Sequence, residues 1–397
     1  MLKPNANYNK LKDTYLFNTI YRKTNEYLEK HPGQKVLRMG VGDVSLPLCD
    51  AVIQALHQAV DDQGALSMFH GYMPENGDAT LRQAIEDYYA KLGTKIQKDE
   101  VFISSGACDD LGDILELFDQ DNTVLVIEPA YPEYVDTNIL AGRTIIHLDS
   151  GEENHFLPMP NQKDQADIIY ICSPNNPTGA AYTREALQEW VDFANETGAV
   201  ILFDAAYEIF VEEEEVPHSI FEIEGAEKCA IEIASLSKTA GFTGTRVGYT
   251  VIPHQLIRDG MSLNAMWSRN RETRTNGVSY ILQKGALAVF TDEGQRQIHD
   301  NLSVYKENAS YFMEVLDQSG IWYTGGKNSP YIWMKCPDGM SGWDFFDYLL
   351  EEIQVVGVPG EGFGACGKGY FRFSTFGSSE DTREAADRLC ELLKRGK

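Results

Sequence analysis

Between residues 101 and 252, short apolar runs alternate with segments of helical spacing, and this alternation constrains the fold more than any other feature. The apolar runs are rich in β-branched residues, and they are Val101–Ser104, Thr123–Ile127, Thr144–His147, Ile168–Cys172, Ala199–Phe203, Ala230–Ile233 and Val247–Ile252. Strands that are apolar along their whole length are buried on both faces. The pattern therefore predicts an α/β fold with a mostly parallel seven-stranded sheet covered by helices.

The regions outside this stretch predict a second, smaller α+β domain built from both chain termini. Inside this stretch, helices are predicted at residues 110–117 and 184–197. Outside it, helices are predicted at 15–30, 51–60, 79–92, 257–290, 294–319, 341–352 and 379–394, and additional strands at 36–39, 331–335 and 370–374. A chain of 397 residues with 43% hydrophobic content can bury two cores. We expect a large ligand-binding domain at residues 41–284 and a small domain at residues 1–40 and 285–397.

Charge and cysteine content exclude several classes of partner. The formal net charge of -26 argues against binding to nucleic acid or to an anionic membrane surface. Seven scattered cysteines without a Cys-x-x-Cys pair predict reduced thiols in a cytoplasm, with no disulfide framework and no metal site. The polar N-terminus is unlike a signal peptide, and no apolar run has transmembrane length.

Polar and glycine-containing loops follow five of the predicted strands. In a parallel sheet, ligands bind beyond the carboxyl ends of the strands, so these loops predict one site. The loop with Gly106, Ala107 and Cys108 also opens a helix, whose free N–H groups can bind phosphate. The loops are 105–108, 128–134, 173–179, 204–207 and 235–246.

The last of these loops carries Lys238 among small hydroxyl residues and ends at Arg246. A lysine that forms a Schiff base needs surroundings that lower its pKa, such as nearby positive charge. Ser235, Ser237 and Arg246 are groups that could bind the phosphate of a cofactor. Taken alone, the stretch is equally typical of a Ser/Gly loop with a solvated lysine.

Three motifs in fixed order resemble the pyridoxal-phosphate-dependent aminotransferases of fold type I, class I/II. They are Asn175–Gly179, Asp204 with Tyr207, and Ser235–Lys238 followed by Arg246. The resemblance covers nearly the whole chain. It implies transaminase activity with pyridoxal 5′-phosphate, to which Lys238 would be joined. Once displaced by an amino acid, the same amine would move a proton at the substrate Cα.

The resemblance also implies roles for the neighbouring side chains. Asp204 would face the protonated ring nitrogen, whereas Tyr207 and Asn176 would bond the phenolic oxygen of the ring. Tyr131 would stack on the ring, and Arg372 would bind the substrate α-carboxylate through a bidentate pair. The phosphate would be bound by Ser235, Ser237, Arg246 and the backbone at Gly106, Ala107 and Cys108.

Further segments are similar to the LL-diaminopimelate aminotransferases within this family, which transfer an amino group from glutamate to tetrahydrodipicolinate in lysine biosynthesis. These segments are 12–17, 40–47, 71–77, 275–279 and 358–364. The similarity implies that Tyr15, Tyr131 and Asn276 contact the distal end of the substrate. Glu75 would pair with its second ammonium group and Tyr72 would reach the cofactor phosphate, both from a partner subunit. A homodimer with shared active sites is therefore implied.

Two features complicate this reading. Gly42 lies in a glycine loop that leaves room for a substrate, but such a loop is also an ordinary turn. Cys108 stands where the family often has a lysine, so one phosphate cation is missing unless the arginines at positions 269, 271 and 274 replace it. Another amino-acid aminotransferase, a C–S lyase of the same fold and a non-enzymatic regulator remain alternatives.

Overall fold

The structure is a computed structural model that describes residues 2–11, 16–40, 42–163 and 165–395. Its strands are β1 Leu37–Arg38, β2 Val101–Ser104, β3 Thr123–Glu128, β4 Thr144–Asp149, β5 Ile168–Cys172, β6 Val200–Asp204, β7 Ala230–Ser235, β8 Gly248–Val251, β9 Ile257–Arg258, β10 Met261–Ser262, β11 Tyr323–Gly325, β12 Tyr331–Lys335, β13 Val355–Val356, β14 Val358–Pro359 and β15 Tyr370–Ser374. Its α-helices are α1 Leu16–Lys30, α2 Asp50–Gly64, α3 Ala79–Lys91, α4 Ala107–Asp113, α5 Pro132–Ala141, α6 Arg184–Thr197, α7 Leu236–Ala240, α8 Leu263–Arg274, α9 Tyr280–Val289, α10 Asp292–Ser319, α11 Gly342–Ile353 and α12 Ser379–Arg395.

The predicted seven-stranded sheet is confirmed, with the order β2-β8-β7-β6-β5-β3-β4. Strands β3 to β7 run parallel to their neighbours, whereas β8 is antiparallel to β7 and β2. The central strands β5, β6 and β7 are buried at every position because helices cover both faces. Since β8 runs the opposite way, the residues just before it lie at the carboxyl edge of the parallel strands. This direction brings Arg246 to the predicted site.

The prediction of one helical stretch from Ile257 to Phe290 is wrong. The β9–β10 hairpin occupies its start, and two helices, α8 and α9, follow it. Asp259 and Gly260 both have positive φ, at 49° and 76°, which suits a two-residue hairpin turn. A second break lies between α8 and α9 at Gly277, whose φ is 81°. These turn residues override the apolar periodicity.

A second sheet, in the order β11-β12-β15-β14, is antiparallel throughout, and β1 pairs separately with β13. Its core combines Tyr27 from α1 and Leu37 from β1 with residues of α10, α11 and α12. Sequence-distant termini therefore share one hydrophobic core, which supports the small domain that we expect. The boundaries at residues 41 and 285 stay predictions, and Val41 lies outside the described residues.

No helix in the described part of the chain combines the length and apolar character needed to cross a membrane.

Candidate active site

A cavity of about 490 Å³ opens at the carboxyl edge of the large sheet, where β12 and β15 of the small sheet meet it. This volume is typical of a small-molecule site. Most of the predicted residues line it, namely Gly42, Ala107, Cys108, Tyr131, Asn176, Asp204, Tyr207, Ser235, Ser237, Lys238, Arg246 and Arg372. The five loops thus converge as strand-end geometry predicts.

Lys238 lies in the short helix α7, which begins after Ser235 and ends at Gly241 in the left-handed conformation. Its Nζ donates a hydrogen bond to the carbonyl oxygen of Gly42. Burial lowers the pKa of Lys238 to about 8; the charges of Arg372 and Arg246 lower it too, whereas Asp43 opposes them. The sequence suggested positive charge as the cause, but loss of hydration is the larger effect.

One end of the cavity is built for an anion. The Ser235 hydroxyl accepts a hydrogen bond from the Ser237 backbone N–H at 3.1 Å, and Arg246 Nη1 donates to Ser237 Oγ at 3.3 Å. Arg246 also lies against Gly106, where an added Cβ would come within 2.5 Å of Nη2. Only glycine lets the guanidinium approach the first turn of α4 so closely. Hydroxyl, guanidinium and helix N–H groups therefore surround one volume.

The Asp204 carboxylate is buried at the end of β6. It accepts hydrogen bonds from the Tyr134 hydroxyl at 2.5 Å and from the Ala206 backbone N–H at 3.0 Å. Burial raises the pKa of Asp204, and these two donors counteract the rise. A protonated ring nitrogen in the cavity would add the positive partner that a buried carboxylate needs.

Arg372 is the most deeply buried charge of the site, with 1% of its surface exposed. Its Nη1 donates to Asn176 Oδ1 at 2.5 Å, and its Nη2 donates to the carbonyl of Gly40 at 2.9 Å. Because the amide oxygen of Asn176 faces Arg372, its amide nitrogen is the group that can donate to a ring oxygen. The guanidinium also lies 4.3 Å from the ring centroid of Tyr331 and 4.9 Å from that of Phe363.

These groups fit pyridoxal 5′-phosphate. The cofactor carries a phosphate, a basic ring nitrogen, and, on the ring carbon opposite that nitrogen, an aldehyde that reacts with an amine. In the cavity, Ser235, Ser237 and Arg246, together called the phosphate cradle, match the phosphate. Asp204 matches the ring nitrogen, and Lys238 matches the aldehyde. The depressed pKa of Lys238 and the buried Asp204 carboxyl are hard to explain by stability alone, since each costs folding free energy.

Tyr72, Glu75 and Asn276 do not line this chain's own cavity. All three are exposed, and Tyr72 has 89% of its surface in solvent. Their loops pack together, since an added Cβ at Gly277 would lie 2.6 Å from the Met73 carbonyl oxygen. Tyr15 lies outside the described residues.

The cationic replacement considered for Cys108 is absent from the described residues. Cys108 itself is exposed at the start of α4. Arg271 is instead bound to Asp113 at 2.7 Å, while Arg274 pairs with Glu116 and Arg269 with Glu272. These arginines neutralise carboxylates on α8 and its neighbours, so the cradle has one fewer cation than the resemblance implies.

Asp43, Tyr134 and Tyr331 are among the cavity-lining residues to which sequence reasoning assigned no role. Tyr131 directly precedes α5 and Tyr134 lies in its first turn, so their short separation in sequence could have suggested that both rings face one site. Asp43 directly follows Gly42 in the glycine loop, but the sequence pattern indicated no role for its carboxylate. Tyr331 had no local signal, because its neighbours in the site come from other strands.

The model of the family described as aminotransferase class I and II matches residues 34–389. An LL-diaminopimelate aminotransferase of Lachnospira eligens is 47% identical, covering 99% of this chain and 100% of the relative. The solved structure of the L,L-diaminopimelate aminotransferase from Chlamydomonas reinhardtii is 38% identical with a TM-score of 0.93, covering 99% of each chain. An aspartate aminotransferase double mutant of Thermus thermophilus, 21% identical with a TM-score of 0.87 over 99% of this chain and all of that one, shows the same fold.

Proposed function

Since this chain belongs to the aminotransferase class I and II family, whose cofactor is pyridoxal 5′-phosphate, we propose that it transfers an amino group between glutamate and LL-diaminopimelate in lysine biosynthesis. The keto partners would be 2-oxoglutarate and tetrahydrodipicolinate. The observation that carries the amino-transfer chemistry is the buried set of Lys238, Asp204 and Arg372 around one cavity. The full-length similarity to LL-diaminopimelate aminotransferases supports the choice of substrate.

Different residues of this chain have separate roles in amino transfer. Arg372 binds the α-carboxylate, and its contacts to Asn176 and Gly40 hold the guanidinium in one orientation. Asp204 keeps a proton on the ring nitrogen, because a buried carboxylate favours a neighbouring positive charge. The bound cofactor supplies an electron sink for the pair left on Cα.

Lys238 acts on the proton of Cα. With a pKa of about 8, roughly a tenth of its amine is neutral at pH 7 and able to accept that proton, a far larger fraction than for an ordinary lysine. The carbonyl of Gly42 accepts a hydrogen bond from Nζ and so restricts where the amine lies. Tyr207, Asn176 and Tyr131 line the cavity. Tyr207 and Asn176 would donate hydrogen bonds to the ring oxygen of the cofactor, and Tyr131 would cover one face of its ring.

The proposed enzyme is a homodimer in which each subunit completes the site of the other. Leu66, Phe69 and Tyr72 are exposed to 99%, 63% and 89%, a concentration of apolar surface unusual for a monomer. These three residues lie shortly before Glu75 in the chain. If they are buried against a second copy of the protein, the loop that contains Glu75 lies at the subunit interface. Tyr72, Glu75 and Asn276 would then reach the partner's cavity, with Tyr15 at the distal end of the substrate.

The seven cysteines support a cytoplasmic location for the proposed enzyme. All are free, and Cys49, Cys172, Cys229, Cys336 and Cys390 are buried. Free thiols persist in a reducing compartment.

The test is a half-reaction screen. Purified, cofactor-loaded protein is mixed with LL-diaminopimelate, glutamate, aspartate or cystathionine, and the visible absorbance is followed while 2-oxoacids are assayed. We expect LL-diaminopimelate and glutamate to react and 2-oxoglutarate to accept the amino group. Formation of pyruvate and ammonia from cystathionine, without transfer from LL-diaminopimelate, would establish the C–S lyase alternative instead. Sedimentation should give twice the 44.5 kDa of one chain.

A further inference from the structure

Tyr331 begins β12 in the small sheet, yet its side chain lines the cavity. Only 1% of it is exposed. Its hydroxyl lies 2.9 Å from the Tyr207 hydroxyl, and its ring centroid lies 4.3 Å from the Arg372 guanidinium carbon. An added Cβ at Gly42 would approach the Tyr331 hydroxyl to 2.7 Å. One side chain thus touches groups assigned to the cofactor, to the substrate and to the lysine.

We propose that Tyr331 is a positioning residue that orients the Tyr207 hydroxyl toward the cofactor ring oxygen and holds the Arg372 guanidinium for the α-carboxylate. The proposal rests on the function proposed above. It assigns separate tasks to two parts of one side chain, the hydroxyl and the ring, and these parts can be removed one at a time.

The hydroxyl acts on Tyr207. A phenol has a single proton to donate, so a Tyr207 that donates to the ring oxygen must accept from Tyr331. Burial raises the pKa of Tyr207 and of Tyr331, so both hydroxyls keep their protons near neutral pH. Hydrogen bonds in such a chain polarise one another, and Tyr331 therefore makes Tyr207 a stronger donor and fixes its direction.

The ring acts on Arg372. The guanidinium stacks over the aromatic faces of Tyr331 and Phe363, which lie 4.3 Å and 4.9 Å from its carbon. Stacking supplies attraction for a cation that has lost its water, and it leaves the edge of the guanidinium plane for hydrogen bonds. Asn176 and Gly40 take two of those bonds. The ring thereby keeps the plane of Arg372 aligned for a carboxylate.

The two roles are separated by Tyr331→Phe, which keeps the ring, and Tyr331→Leu, which removes both parts. Tyr182→Phe is the matched control, since Tyr182 is equally buried and its hydroxyl donates to the Pro158 carbonyl at 2.7 Å without lining the cavity. The readouts are the pH midpoint of the visible absorbance of the loaded enzyme, and kcat and KM for the amino-acid half reaction.

For Tyr331→Phe we expect the absorbance midpoint to rise by about 0.5 to 1 pH unit, because a weaker donor leaves more negative charge on the ring oxygen to retain the titrating proton. We expect kcat to fall about fivefold with KM changed by less than about twofold. Tyr331→Leu should in addition raise KM by about tenfold through the loss of stacking on Arg372. The control should match the wild type in all three readouts.

The proposal is overturned if Tyr331→Phe titrates like the wild type while Tyr207→Phe shifts the midpoint. Equal KM values for the Phe and Leu variants would overturn the role of the ring. Because the Phe variant retains the packing of the side chain, it tests the hydroxyl even if the Leu variant does not fold. Failure of the proposed function has a different signature, since the wild-type protein would then transfer no amino group from LL-diaminopimelate to 2-oxoglutarate, while the absorbance midpoints of the loaded wild type and variants would still report on Tyr331.

Discussion

Two parts of the predicted site differ sharply in how completely one chain forms them. The inner part, around Lys238, Asp204 and Arg372, is buried and held by hydrogen bonds from several loops and strands. The outer part, with Tyr72, Glu75 and Asn276, lies in solvent outside the cavity. A single chain therefore preorganises the groups for amino transfer, whereas recognition of the distal end of the substrate requires a second subunit in the function we propose.

The energetic reason for this division lies in hydration. Groups of the inner part must work without water, so their orientation is fixed by a large buried network, as for Arg372 with 1% exposure. Glu75 must contact a substrate that enters from solvent. A surface loop of the second subunit can place the Glu75 carboxylate beside that substrate. Five variants or conditions would break or sharpen this contrast, starting with the largest effect.

Replacing Lys238 by alanine should lower turnover by at least about 10⁴-fold, since both the attachment of the cofactor and the proton transfer are lost. The measurement is single-turnover conversion of glutamate by the loaded protein. Lys335→Ala is the matched control, because that lysine pairs with Glu152 on the surface at 2.7 Å. Substantial activity in the Lys238 variant would show that the inner part is not where the chemistry occurs.

Replacing Asp204 by asparagine should lower kcat by about 100- to 1,000-fold while the protein still binds the cofactor. Asparagine keeps the shape and an oxygen that accepts from Tyr134, but it lacks the charge that stabilises a protonated ring nitrogen. A cofactor analogue with a permanently charged ring nitrogen should restore part of the lost rate. If the variant keeps wild-type kcat, the role of Asp204 is refuted.

Replacing Glu75 by glutamine should raise KM for LL-diaminopimelate by about tenfold through loss of a charged hydrogen bond, and it should leave the glutamate half reaction unchanged. Glu26→Gln is the control, since Glu26 forms only an exposed pair with Arg22. An equal rise in KM for LL-diaminopimelate and for glutamate would mean that Glu75 does not bind the distal ammonium group.

A mixture of two variant chains tests whether the inner and outer parts of one site come from different subunits. Co-expressed Lys238→Ala and Glu75→Gln chains should form mixed dimers, in which one site retains both wild-type residues. LL-diaminopimelate activity at low substrate should therefore exceed the average of the two separate variants. Activity equal to that average would contradict shared sites.

The smallest effect concerns pH. The rate at which cofactor-free protein captures pyridoxal 5′-phosphate should rise as pH passes through about 8, because burial lowers the pKa of Lys238 to that value and only the neutral amine attacks. Stopped-flow absorbance measures the rate. Glu75→Gln should show the same midpoint, since it lies outside the inner part. A midpoint near the ordinary lysine value of 10.5 would contradict the burial that the structure shows.

Much of the inner part could be predicted because the carboxyl ends of parallel strands lie at one edge of the sheet, so loops that follow different strands in the sequence lie close together in space. Asn176, Asp204 and Lys238 follow β5, β6 and β7, which are adjacent in the sheet, so their order along the chain is also their order in space. Arg246 was predicted as the end of the lysine loop, and the antiparallel direction of β8, which places it at this edge, came only from the structure. The turn at Asp259 and Gly260 was present in the sequence but was overlooked in favour of apolar spacing.

The sequence by itself determined the α/β class, the carboxyl-edge site and the types of chemical group in it, because local periodicity and loop composition carry that information. Only the tertiary structure decided that Tyr134 bonds Asp204, and that Tyr331 joins Tyr207 to Arg372. It also decided that burial, more than neighbouring charge, lowers the pKa of Lys238. Hydration and contacts between distant strands depend on how the whole chain packs, and no local stretch of sequence encodes them.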